Sequence, residues 1–324
     1  MQTPAFDYIR HGMTPFFRLA PWVGRVERRS SPQAVIVGVP YDGGTTHNPG
    51  ARFAPYDVRQ ASATFQSYHP AHELDVFADL TVADGGNLVA PPFNSEGMRA
   101  VVQEGVTDIL AVDAVPFVVG GDHSITLPVL RALRQQFGPI GVVHLDAHLD
   151  LSGPETWGAE HHHGTVFRHA IKEGLISDGG LHQVGIRASW RGADDAAAAA
   201  KIGGRLYGMD ALDAADVRVV AETIRERLGG RPTYVSVDID VVDPAFAPGT
   251  GTPVAGGMTS RELLRFLRGL AGTRLVGMDL VEICPALDKS DLTSHLGASI
   301  LFEGLALLAL GKRGRGAKHK GTTA

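Results

Sequence analysis

Short, nearly continuous apolar runs alternate along this chain with longer stretches in which apolar residues recur every three or four positions. The first run, Ala34-Val-Ile-Val-Gly-Val-Pro40, predicts a strand that begins the sheet and is buried on both faces, because nothing polar interrupts it. Pro55 sits well as an early residue of a helix reaching about Thr64. A strand over 74–80, an amphipathic helix from Ser95 to about Ala114, a strand closing at Gly120 and a helix over 125–137 come next. The alternation continues with a strand into Asp146, a long loop, a helix over 163–174, a strand over 181–187 and an alanine-rich helix over 193–202. A strand near Leu206, a helix ending at Gly229-Gly230, a strand from Tyr234, a helix from Thr259, a strand over 275–283 and a final helix complete it. Regular alternation of this kind builds a parallel sheet covered by helices on both faces. No linker or shift in composition interrupts residues 34–311, which predicts one domain. Residues 1–33, with Pro4, Pro15 and Pro21, read as an irregular arm that packs on the body or on a neighbouring subunit. Residues 312–324 read as a basic, disordered tail in solvent.

Three of the predicted strands end in acids or imidazoles. Asp238 and Asp240 lie two apart, as do Asp146, His148 and Asp150, and on a strand that spacing aims side chains at one place. A third strand breaks at Gly120-Gly121 and delivers His123. In an open parallel sheet, ligands bind beyond the carboxyl ends of the strands. Four carboxylates and two imidazoles gathered there would repel one another strongly unless cations neutralised them, so the cluster itself predicts metal, and two ions rather than one. Oxygen-rich coordination with some imidazole suits Mn(II), with Ni, Co, Fe or Zn as substitutes. A metal pair of that kind supplies hydroxide at neutral pH, which makes hydrolysis the predicted reaction. His144 shares the parity of Asp146 but lies deeper in its strand, where a supporting or core role is expected. His161 and His162 are expected as solvent-exposed loop residues, since no regular ligand spacing surrounds them. The glycine-rich stretch after Tyr41 matches no phosphate-binding pattern.

Composition narrows the partners. The 324 residues are 44% hydrophobic and 20% charged, ordinary values for a folded globular enzyme. A net charge of −5 gives no general attraction to nucleic acid or to an anionic membrane. One cysteine, Cys284, forms no intrachain disulfide and no thiolate zinc site, so a reduced, cytoplasmic setting is expected. The longest apolar run, 296–311, is interrupted by Glu303 and is shorter than the roughly 20 residues of a membrane span, so it is read as a core helix.

Several motifs, GGDHS at 120–124, DAHLD at 146–150, HGT at 163–165, SVDIDVVDPAFAPGTGTPVAGG at 236–257 and MDLVEICP at 278–285, together resemble the ureohydrolases. This is the arginase and agmatinase family, with the agmatinase branch the nearer match. The resemblance implies a single three-layer α/β/α domain around a mainly parallel sheet. It implies one manganese held by His123, Asp146, Asp150 and Asp238, and a second held by Asp146, His148, Asp238 and Asp240, with Asp146 and Asp238 bridging. It further implies that Asp240 orients the hydroxide, Glu282 pairs with a guanidinium, and His163 serves as acid or proton shuttle, releasing urea and a primary amine. Specificity is expected in the loops over the sheet edge, at Glu155, Thr156 and Trp157 and at Arg187 and Trp190, with Asn48 standing where many relatives place an arginine. Agmatine, guanidinobutyrate, guanidinopropionate and other small guanidines remain open as substrates. A non-catalytic subunit or guanidino-binding protein is the competing class. The resemblance also implies a homo-oligomer, a hexamer or a trimer.

Overall fold

The computed structural model describes residues 14–22 and 31–320. Its strands are β1 Ala34–Val39, β2 Tyr68–His69, β3 Leu74–Asp75, β4 Val82–Asn87, β5 Val115–Gly120, β6 Ile140–Leu145, β7 Ile176–Ile186, β8 Arg205–Gly208, β9 Thr233–Asp238 and β10 Leu275–Val281. Eight of them form one sheet in the order β4-β1-β5-β10-β9-β6-β7-β8. Every pairing in that sheet is parallel. β2 and β3 make a small antiparallel hairpin apart from it.

The apolar runs are continuous because alternate side chains enter different cores. Val35 and Val37 pack with Met98 and Val102 on one face, while Ile36 packs with Ala54 and Val58 on the other. Val118 and Val142 likewise part from Phe117, Val119, Val143 and Leu145. Helices Ser95–Ala111, Thr126–Phe137 and Val166–Lys172 cover the first face. Helices Ala54–Ser62, Val217–Leu228, Ser260–Gly269 and Leu292–Lys320 cover the second. The result is a three-layer α/β/α domain.

Several boundaries depart from the sequence pattern. Only Leu74 and Asp75 of the strand predicted over 74–80 pair as a strand, because the Asp75 side chain accepts from Ala78 N and caps a helical turn, Val76–Asp79. The edge strand β4 was not predicted, since its sequence, VADGGN, reads as a turn. The last helix runs to Lys320, past the boundary placed at 311. Its apolar stretch is long enough to cross a membrane, but 78% of the most apolar window is buried inside the protein. Of the N-terminal arm, residues 14–22 pack on the body: Phe16 N donates to Asp84 Oδ2 at 2.8 Å, and the Phe17 ring meets Phe65, Phe77 and Phe302. The rest of that arm, and residues 321–324 of the expected tail, lie outside the described residues.

Candidate metal centre

The four central neighbours β5, β10, β9 and β6 end side by side, and each delivers a functional residue at its C-terminal rim: His123, Glu282, Asp238 and Asp146. Of the six expected ligands, only Asp238 is still on a strand. Asp240 lies in a 3-10 turn, Ile239–Val241, in which the Asp238 side chain accepts from Asp240 N at 2.9 Å. Residues 146–150 form a loop after β6. Turns, rather than strand alternation, therefore aim these side chains at a common point. Left-handed backbone at Asp150 (φ 52°) and Glu282 (φ 63°) completes the arrangement, a conformation that side chains rarely adopt outside functional sites. The turn before His123 needs glycine, since a Cβ on Gly121 would lie 2.2 Å from Tyr41 O.

Two groups of donors result. His123 Nδ1 lies 3.3 Å from Asp146 Oδ2, 3.0 Å from Asp150 Oδ2 and 3.3 Å from Asp238 Oδ2. His148 Nδ1 lies 3.3 Å from Asp146 Oδ1 and 3.0 Å from Asp240 Oδ2. Asp146 thus turns one oxygen to each group. Asp238 turns Oδ2 to the first group, and its Oδ1 accepts from Asp240 N.

The donor set fits a pair of cations. His123 Nε2 meets Ser236 Oγ at 2.9 Å, and the single Ser236 hydroxyl proton goes to Asp279 Oδ1 at 2.7 Å. Ser236 must then accept from His123, which places the imidazole proton on Nε2 and leaves Nδ1 as a bare lone pair. That atom is buried and makes no hydrogen bond, as a ligand nitrogen would be. His144 is grouped with these donors by distance, but its Nδ1 accepts from Gln183 Nε2 at 3.0 Å, so its Nε2–H donates to Asp146 Oδ2 at 2.7 Å. It orients Asp146 and offers no lone pair. Burial, with Asp240 and Asp146 opposite, pushes the Asp238 carboxyl well above the ordinary range. Burial also acts to raise Asp146, but His144 and the surrounding imidazoles outweigh it and hold that carboxyl well below its usual value.

His163 stands at the wall of the adjoining cleft. Its Nδ1 meets Glu282 Oε1 at 2.9 Å and its Nε2 meets Thr46 Oγ1 at 2.7 Å. Burial pushes the imidazole down, and the Glu282 charge pushes it up further, to about 9. Glu282 Oε1 also accepts from His123 N at 2.7 Å, while its Oε2 is buried without a partner.

The cleft encloses about 310 Å³ and is lined by Thr156, Trp157 and Trp190 among the expected specificity residues. The others lie elsewhere. Glu155 points outward to Arg191 at 3.2 Å and Arg168 at 3.6 Å. Asn48 Nδ2 is bonded to Gly251 O at 3.2 Å. Arg187, expected either to meet a substrate tail or to hold the conformation of its loop, donates to backbone carbonyls that include Asp240 O at 2.7 Å and Val254 O at 2.6 Å. A guanidinium committed to carbonyls in this way clamps the loop after β9. His162 is buried and His161 half-buried, not solvent-exposed as expected. Their side chains belong to neither donor group. Thr46, Ser189, Arg191, Asp195 and Thr252 also line the cleft. Their sequence neighbours give no ligand spacing, and only membership of the flanking loops could have pointed to them.

An open parallel α/β sheet with carboxylate–imidazole groups at its C-terminal rim is the arrangement of a metal-dependent hydrolase. The particular family follows from comparison: the Arginase family model matches residues 32–306, and the chain belongs to the arginase family. Proclavaminate amidinohydrolase of Streptomyces clavuligerus is 39% identical over 298 residues, 90% of this chain and 95% of that protein. Guanidinobutyrase of Pseudomonas aeruginosa is 39% identical over 298 residues, 92% of each. The mitochondrial agmatinase of Gallus gallus is 39% identical over 275 residues, 85% of this chain and 81% of that one. The solved proclavaminate amidinohydrolase structure superposes with a TM-score of 0.88 at 38% identity, covering 95% of this chain and 100% of the other.

Proposed function

We propose that the chain hydrolyses a small guanidino compound to urea and a primary amine, in the manner of an agmatinase, with agmatine as first substrate and guanidinobutyrate or guanidinopropionate as alternatives. The observation that carries this reading is Asp146, whose two oxygens face two imidazole-bearing groups at the floor of one cleft. His123, Asp146, Asp150 and Asp238 would hold one manganese, and Asp146, His148 and Asp240 the other, with Ni, Co, Fe or Zn as substitutes and Asp238 joining the second on loading. Bound there, the two ions supply hydroxide by lowering the pKa of water toward about 7.

The chain's own residues do the rest. A guanidinium is resonance-stabilised and a poor electrophile, so its carbon must be held close to the attacking oxygen. Glu282 Oε2, buried and unpaired, is the oxygen available to a planar cation. Asp240, braced by Ala147 N at 3.0 Å and Thr252 Oγ1 at 3.3 Å, orients the nucleophile. His163, pushed up by Glu282 to about 9, is placed to pass a proton to the departing nitrogen once the Thr46 N and Oγ1 contacts to its Nε2 yield. Thr156, Trp157, Trp190, Arg191 and Asp195 line the cleft that would take the tail. The single buried cysteine supports a cytoplasmic setting, and the family reading adds a homohexamer or trimer.

Urea release is to be measured after manganese loading, with agmatine, guanidinobutyrate, guanidinopropionate and arginine. One of these yields urea in step with bound metal. Stoichiometric metal with no urea from any member would leave the non-catalytic binding protein as the better reading.

A further inference from the structure

Behind the loop that carries His163 lies a second, much smaller cavity, about 10 Å³, between that loop and helix Ser95–Ala111. Its walls include Tyr41, Ser95, Arg99, Ser124, His161 and His162. One of these carries a donor without an acceptor, and another is a cation without an ion pair. His162 Nδ1 accepts from Gly164 N at 3.1 Å, so the imidazole proton resides on Nε2. That Nε2 is buried and makes no hydrogen bond, and the residue is only 4% exposed. Arg99 donates to Ser95 Oγ at 3.2 Å and forms no ion pair among the described residues. Burial acts to lower its pKa, while guanidinium remains the charged form at any ordinary pH.

A half-buried cation and an orphan N–H facing one void are costly unless something with lone pairs and negative charge joins them. The volume admits one sphere of water or halide size. His161, pushed down to about 4 by burial and by Arg99, adds no competing charge, and the hydroxyls of Tyr41 and Ser95 can turn their protons inward, while Ser124 gives its proton to Asp122 Oδ1. We propose that this cavity is a site for a small inorganic anion of the halide class, held between the Arg99 guanidinium and His162 Nε2–H.

The occupant would steady the active-site loop. His162 and Thr165 form a reciprocal cap on the turn His163–Thr165, and that turn sets the direction of the His163 ring. An anion on Nε2 fixes the His162 tautomer on which the Gly164 contact depends. Arg99 is then a positioning residue, acting on His163 through the anion and His162.

The test uses the metal-loaded full chain and chloride, bromide or gluconate as the probe at fixed ionic strength. Replacing gluconate by chloride or bromide raises Tm in the wild type, Arg99→Met abolishes that rise, and Arg99→Lys retains part of it. Bromide-soaked crystals show an anomalous peak between Arg99 and His162, a readout that needs neither turnover nor a variant. With the best substrate, kcat falls in gluconate while KM is little changed. A halide response equal in wild type and Arg99→Met, no response at all, or a cavity in bromide-soaked crystals that holds only water would each overturn the proposal.

Discussion

Ser236 carries no charge and lines no part of the cleft, yet the state of His123 depends on it. Its hydroxyl accepts from His123 Nε2 and donates to Asp279, and that relay keeps Nδ1 free of a proton. Ser236→Ala is expected to weaken metal binding by about 10–100-fold, as read by metal titration of the purified variant. His148→Ala should lose one of two metal equivalents and most turnover, whereas His161→Ala keeps its metal, as elemental analysis will show. Equal loss in both would contradict the grouping of donors described above. Trp157 and Trp190 are two of the three tryptophans in the chain and both line the cleft. Substrate or amine product should therefore quench intrinsic fluorescence, and Trp190→Phe should remove a large part of that change. At this scale the sequence pointed to the acids and imidazoles that the structure gathers at the rim, because such residues two apart after apolar runs have few structural uses. It did not reveal that turns rather than strands would aim them, since Asp238 and Asp146 hydrogen-bond to the backbone just after them. Nor did it decide between a substrate-facing and a loop-holding Arg187, because an arginine beside a site has the same composition in either role.

Arg187 shows how elements are joined around the centre. Its guanidinium binds carbonyls on both sides of the loop after β9, a fan of donors that an ammonium cannot reproduce. Arg187→Lys should lower Tm and kcat together while leaving the preference between amine-tailed and carboxylate-tailed guanidines unchanged. A switch of preference in that variant would return Arg187 to the cleft. On the opposite face, Glu303 of the last helix ties the β2–β3 hairpin and helix Ser260–Gly269 together. It meets His69 and His72 at 3.1 Å each and Arg268 Nε at 2.6 Å. Burial raises this carboxyl, but the bonds from His69, His72 and Arg268 outweigh it and hold it at about 2, below its ordinary 4.5. A depressed carboxyl contributes stability in full above its unfolded value and loses it as pH falls toward the folded one. Glu303→Gln should cost about 3 kcal/mol near neutrality, with the deficit shrinking from pH 4.5 toward 2 in denaturant titrations. The sequence marked Glu303 only as an interruption in an apolar run, because its partners lie more than thirty residues away or further.

Across the whole molecule, the alternation of apolar runs and amphipathic stretches foretold the parallel sheet and both helical layers, since each buried strand has to be covered on two sides. Strand order was not legible. Nothing in the apolar pattern says that β10, late in the chain, sits between β5 and β9. That insertion has a consequence for synthesis. A nascent chain emerging from the ribosome holds its first-formed halves apart until residues 275–281 arrive to bridge them. Completion of the His123 group should therefore await the final part of translation, and polypeptides stopped before residue 275 should retain at most the cation of the His148 group, whose donors all follow the directly paired β6 and β9.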